Sequence, residues 1–194
     1  MNGLMPTEIP SGANVEAIER QFEDISPPLS NVFDYWNTLR DGRPGPRWRE
    51  FDLMALPLSI LPTTQVVDWL PESGEFRYRF YGSSYTTIHG VDLTDKSPKD
   101  LPMKQLGHFI HNEFLTVVHN EAPNLMSYGF RKHGVFTEIE TCLRLPLSDD
   151  GHTITGIVTI DSVIGGISTA QHIVDDLVAG KALFRKSPPT SPKQ

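Results

Sequence analysis

Cysteine is nearly absent from this chain, and much follows from that. The single Cys142 cannot form an intrachain disulfide and leaves no set of thiolates for a zinc cluster. A reducing compartment suits such a chain. Basic residues are also scarce: 17 Lys and Arg stand against 24 Asp and Glu, for a net charge of -7. Phosphate recognition needs clustered Lys and Arg, so this balance argues against a nucleic-acid surface and offers no attraction to an anionic membrane. Long apolar runs are missing too. The greasiest stretch, Leu53 to Leu61, is broken by Pro57 and falls far short of the ~20 residues of a bilayer span. The first residues lack the basic head and apolar middle of a secretory signal, so the cytoplasm is the expected location. The common catalytic signatures are absent as well: no Gly-x-Ser-x-Gly elbow, Walker loop, paired His-Glu zinc motif, dinucleotide fingerprint or kinase motif. These absences point away from an enzyme.

What is present reads as one globular domain. The chain has 194 residues, 38% hydrophobic and 21% charged, and no internal repeat. Residues 1–12 and 187–194 are rich in Pro, Ser and Gly and are expected to fray. A weak helix is expected over Val15 to Phe22, and a strong one over 28–40, where Leu29, Val32, Phe33, Trp36 and Leu39 recur at helical spacing behind Pro27-Pro28 and ahead of Asp41-Gly42. The arginine-rich DGRPGPRWRE that follows reads as a rigid connecting loop whose arginines pair with acidic residues, and otherwise as a phosphate patch. From Thr63 the period becomes strand-like: Thr63–Leu70 and Glu75–Tyr81 flank a Pro-Glu-Ser-Gly turn, with Phe76, Tyr78 and Phe80 expected inward. A short helix opens at Gly82-Ser83-Ser84, capped by a serine and closed by Gly90, and a longer one spans 103–120. Strands follow near 124–132, 135–147 and 153–164. On the middle one Val135, Thr137, Ile139, Thr141, Leu143, Leu145 and Leu147 share one face, against Glu138, Glu140, Cys142 and Arg144. A last helix covers 169–180, capped by Ser168. The expected fold is α+β: a five-stranded antiparallel sheet with its helices on one face, plus N- and C-terminal helices.

That order, with its local wording, resembles a bacterial family of stand-alone PAS proteins. The matching residues are Tyr35-Trp36, Leu39-Arg40, Arg43-Pro44, Pro46-Arg47, Asp52, Leu56-Pro57 and Leu61-Pro62, then Phe76-Arg77-Tyr78-Arg79-Phe80-Tyr81-Gly82, Asp92-Leu93-Thr94 behind Gly90, and Leu145-Pro146-Leu147-Ser148-Asp149-Asp150-Gly151. One departure stands out: Asp95 follows the Asp-Leu-Thr, where the family often has Gly. The resemblance covers roughly 30–165 and implies a sensory or interaction domain that cups a ligand between sheet and helices, with an outer sheet face often used for dimers. It divides the chain into 1–27, a flexible region with a short helix; 28–165, the PAS domain with its flanking helix; and 166–194, a C-terminal helix and tail. The segment after 165 is too short for an output domain, so signalling is expected in trans, through a protein partner. A homodimer is expected, with the apolar stripe of helix 28–40 as its surface unless that stripe packs on the chain's own sheet.

The candidate ligand-binding residues are Phe80, Tyr85, Ile88, His89, Ile110, His111, Phe114, Tyr128, Ile139 and Thr141. A filled core and an empty cup read alike in sequence, so either role fits each apolar member. His108 and His119 fall opposite the apolar face of helix 103–120, and His111 falls on its flank. Haem-binding sensors of the PAS type ligate iron from a helix in about this place, which makes His111 the haem candidate; the alternative is a half-exposed surface histidine. His89, at a helix C-terminus, suits a capping cation or the pocket mouth. Cys142 lies in a strand outside any Asn-Cys-Arg motif, so flavin photochemistry is not expected. Cofactor and small-molecule ligand stay open. The rival reading is a small cone-shaped α+β enzyme of the isomerase or dehydratase type, using His111 with an aspartate. Such folds place most helices before the sheet.

Overall fold

The computed structural model describes residues 14–187. The frayed ends expected at 1–12 and beyond Ser187 lie outside them. Seven strands form one sheet in the spatial order β3-β2-β6-β5-β4-β1-β7. Its centre is the five strands expected from the sequence: β2 (Thr64–Leu70), β3 (Glu75–Tyr81), β4 (Asn124–Lys132), β5 (Val135–Ser148) and β6 (Ile154–Val163), all antiparallel. Two flanking strands extend one edge. β1 (Val15–Glu19) pairs antiparallel with β4, and β7 (Phe184–Lys186) pairs parallel with β1. The helix expected over Val15 to Phe22 is therefore this strand, followed by one 3-10 turn at Phe22–Asp24. A helix that short has little stability of its own, whereas the strand buries Val15, Ala17 and Ile18 and satisfies the edge of β4.

The helices are α1 (Leu29–Arg40), α2 (Ser83–His89), α3 (Lys104–Asn120) and α4 (Ile167–Val178). Both serine caps are corrected: glycines 82 and 166 occupy the N-cap positions of α2 and α4, with no side-chain cap bond. The core helices share one face, and the N-terminal helix takes the other. α2, α3 and α4 cover the inner face, whose core holds Tyr78, Tyr85, Phe114, Val117, Ile157 and Ile173. α1 covers the outer face, where Leu29, Val32 and Trp36 pack with Leu143, Leu145, Leu147, Val158 and Ile160. Trp36 is 1% exposed and its indole N–H donates to the Pro146 carbonyl at 2.8 Å. The stripe expected to dimerise is thus spent on the chain's own sheet.

The arginine-rich loop locks that arrangement. Arg43 donates to the carbonyls of Leu39 and Arg40, at 2.6 and 2.8 Å, closing the end of α1, and it pairs with Glu50 at 2.9 Å. Gly45 lies against the β5 backbone, where a Cβ would meet the Pro146 oxygen at 2.5 Å. The Ser-Asp-Asp-Gly turn after β5 is fixed by Asp150, which accepts from the N–H groups of His152 and Thr153, both at 2.7 Å, while Gly151 takes φ 87°. Those bonds hold the Asp150 carboxyl well below the usual range. Asp95 takes φ 62°, the left-handed conformation in which the matching glycine would be at ease. Its loop still docks on the free edge of β3: Asp95 N–H donates to Tyr78 O at 2.8 Å, and Lys96 O accepts from Tyr78 N–H at 2.9 Å.

Two bulges redirect side chains. In β3, Tyr78 pairs with Val67 but Phe80 pairs with Val66, so Arg79 is the extra residue. Beyond it the parity flips: Tyr81 turns inward at 7% exposure and Phe80, expected inward, is 37% exposed. In β5, Ile139 is the extra residue between Glu138 and Glu140. It joins the inner core, while Leu143, Leu145 and Leu147 face outward under α1.

Candidate functional site

A partly open cavity of about 80 Å³ lies between the inner sheet face and α2, α3 and α4. It is large enough for several waters or a compact organic molecule. Its walls are apolar: Leu106, Ile110 and Phe114 come from α3, and Ile173, Val174 and Leu177 from α4. Phe184 of β7 and Val15 of β1 add to the lining. Its floor is not apolar. Because β5 sends its apolar parity outward to α1, the opposite parity, Glu140, Cys142 and Arg144, faces the cavity, with Thr159 and Asp161 of β6 and Gln65 of β2 beside it. The ladders align these groups. Gln65 pairs with Thr159 and Thr159 with Arg144, while Asp161 pairs with Cys142 one row away.

Arg144 anchors the floor. It is 2% exposed, and its two Nη groups donate to the Asn124 Oδ1 at 3.1 Å and the Tyr128 hydroxyl at 2.7 Å. The guanidinium stands over the Phe114 ring at 5.8 Å from its centroid. Three of the residues lining the cavity carry a buried polar atom without a partner: Arg144 Nε, Thr159 Oγ1 and Asp161 Oδ1. Such groups are costly to bury unpaired, and their convergence on one cavity is what a polar ligand would relieve.

Burial also sets the protonation states. Asp161 is 5% exposed with no compensating donor, and its carboxyl is raised well above the usual value. Glu140 accepts from the Tyr85 hydroxyl at 3.2 Å, and burial, opposed in part by Arg144, brings it to about 7. Burial pushes the Cys142 thiol up to about 12, which removes it as a nucleophile. His89 is drawn down to about 4 by burial, with Nδ1 2.5 Å from the Tyr81 hydroxyl. The capping cation expected at the end of α2 is thus a neutral imidazole.

The cavity gathers Tyr85, Ile88, His89, Ile110, Phe114, Tyr128 and Ile139 from the sequence candidates. Three lie elsewhere. Phe80 is turned out by the β3 bulge. Thr141 lies on the outer face, donating to Glu138 Oε1 at 2.5 Å beside Ser127, because β5 presents its other parity to the cavity. His111 is buried at 6% exposure rather than half-exposed, since the β2–β3 turn packs over its flank of α3. Its Nε2 lies 3.1 Å from the Gly74 carbonyl and 3.6 Å from the Glu75 carboxylate, and its ring meets Phe76 edge-on. It does not line the cavity, which removes the ground for haem ligation there, and among the described residues its polar neighbours are Gly74 and Glu75, not the aspartate that the rival enzyme requires. The placement of α3 after two strands also departs from a cone-shaped fold. Among the described residues no cluster of three His, Cys, Asp or Glu is placed to hold a metal ion, and no helix is long and apolar enough to cross a membrane. Sequence reasoning missed Gln65, Glu140, Cys142, Arg144, Thr159, Asp161 and the α4 and β7 wall. The available signal was a charged residue set among apolar neighbours, Arg144 within 142–147 and Asp161 within 157–163.

A family model described as PAS domain matches residues 25–159. Among solved structures, the chain is similar to the PAS domain from Bordetella pertussis BvgS, at 16% identity and a TM-score of 0.42, over 78% of this chain and 98% of that one. It is also similar to an RNA-binding light-oxygen-voltage receptor, at 8% identity and a TM-score of 0.40, over 88% of this chain and 44% of that one. No curated protein matches.

Proposed function

Because the chain belongs to the PAS-domain family of sensory and signalling modules, we propose that it senses a small molecule held in this cavity and reports its presence to a protein partner in trans. One observation carries the reading: Arg144, Thr159 and Asp161, each with a buried polar atom that has no partner, all line one cavity. A merely filled core would have apolar side chains there. Binding rather than catalysis fits the floor, whose one thiol is held protonated.

The route outward runs through the segment after the family match. α4 and β7 form a wall of the cavity through Ile173, Val174, Leu177 and Phe184, and β7 is tied back to β1 by its parallel ladder. A ligand touching that wall favours the docked arrangement of α4 over any displaced one, which is a population shift that a partner can read. Native mass spectrometry of the freshly purified full chain, paired with hydrogen exchange, tests this. A retained small molecule is expected, with amide exchange in α4 faster once it is removed. A chain of bare sequence mass whose α4 exchange is unmoved by any added small molecule would overturn the proposal.

A further inference from the structure

The unpartnered groups on the cavity floor do not weigh equally. A buried hydroxyl or neutral carboxyl is tolerated far better than a guanidinium, which stays charged at every pH a protein meets. Both bonded partners of Arg144, the Asn124 amide oxygen and the Tyr128 hydroxyl, are uncharged, and its Nε–H is unused. Neither cavity carboxyl is bonded to it. Glu140 is turned to Tyr85, and Asp161 sits in the next row, opposite Cys142, where burial favours its protonated form. The floor therefore presents one fixed positive charge with an open donor, a free hydroxyl across the ladder at Thr159, and a carboxyl one row on. The opposite walls, from α3 and α4, are hydrocarbon.

On the premise that this cavity is a ligand site, we infer that its ligand is a small monocarboxylate with an apolar body, the carboxylate held on the floor at Arg144 and Thr159 and the body lying against α3 and α4. An amine is disfavoured because an ammonium would stand beside the guanidinium. A dianion is disfavoured because the floor holds a single cation to meet it.

Calorimetric titration of the full chain with three probes of one shape, 3-methylbutanoate, 3-methylbutanamide and 3-methylbutan-1-amine, tests the inference. The acid is expected to bind at least about tenfold tighter than the amide, with the amine weakest, as charge-assisted bonds outweigh neutral ones. Arg144→Gln should weaken the acid about 100-fold, and the near-isosteric Thr159→Val about tenfold, with far-ultraviolet circular dichroism reporting that each folds. Asp161→Asn keeps a donor and should stay within about threefold. Tightest binding by the amine, lost in Asp161→Asn, would overturn the acid and leave the cavity a ligand site. Acid binding unmoved by Thr159→Val and Arg144→Gln would place the carboxylate elsewhere and overturn it too. Failure of all three probes overturns the inference, and extends to the ligand reading itself if native mass spectrometry also finds no retained molecule.

Discussion

Replacing Glu140 by Gln should make the protein more stable, and increasingly so as pH rises. The carboxyl accepts one hydrogen bond, from Tyr85, in a cavity whose other titratable or charged members are His89, Tyr128, Cys142, Arg144 and Asp161. Burial lifts it from an ordinary 4.5 to about 7, with Arg144 opposing. The sign follows from linkage. Below 4.5 the group is protonated in folded and unfolded chains alike, and the fold keeps the full benefit of the neutral form. As pH rises the unfolded chain ionises first, stability falls, and above about 7 the benefit is gone. At 1.36 kcal/mol per tenfold, the interval amounts to about 3 kcal/mol, an upper figure for a half-buried group. Gln keeps the acceptor for Tyr85 and does not titrate. Urea unfolding of both proteins, followed by tryptophan fluorescence, should show curves close together at pH 4 and separated by about 1.5 M in midpoint at pH 8, for a slope of about 2 kcal/mol per molar. A separation that stays constant with pH, or a Gln variant less stable at pH 8, would refute the burial argument.

Four further outcomes follow from the same geometry. Thr159→Val should raise the stability of the ligand-free protein by about 1 kcal/mol, because it deletes a buried hydroxyl with no partner; a loss in denaturant melts would mean that the hydroxyl is satisfied. Cys142, lifted from 9.0 to about 12, should react with a disulfide reagent at pH 8 about a thousandfold more slowly than the unfolded chain, and as the only cysteine it gives an unambiguous signal. Asp95→Gly should stabilise by up to about 1 kcal/mol in thermal melts, since φ 62° strains any residue with a Cβ. Trp36→Phe should cost about 2 kcal/mol in chemical melts, from lost packing and a Pro146 carbonyl left without its donor.

The central fold was legible because its signals are local. FRYRFYG and LPLSDDG mark a strand with its exit and a strand with its turn, and the spacing of Leu29, Val32 and Trp36 marks α1. What escaped depends on partners remote in sequence. Val15–Glu19 shows no strand alternation until β4 and β7 are placed on either side of it. A bulge cannot be read from one strand, because it is a mismatch between two, and Arg79 and Ile139 each shift a face that strict alternation assigns elsewhere. His111 was placed correctly on its helix and misjudged in exposure, because the turn that covers it belongs to a hairpin 37 residues away.

The site itself was half legible for a more instructive reason. Alternation of apolar and polar residues along β5 is ordinarily the mark of one buried and one solvated face, and that reading makes Leu143 and Leu145 the core and Arg144 the surface. Here both faces are covered. α1 takes the apolar parity, so Glu140, Cys142 and Arg144 are forced beneath α3 and α4. The segment that makes the cavity polar is therefore not the cavity but Leu29 to Arg40 on the opposite face, which fixes which parity of β5 turns inward. A chain that needed only a core would gain by placing apolar residues at 144 and 161, since a buried guanidinium and a buried carboxyl not paired with each other cost more than they return. Arg144 and Asp161 nevertheless stand on adjacent central strands, lining one cavity, and that arrangement is what the proposed ligand would make economical.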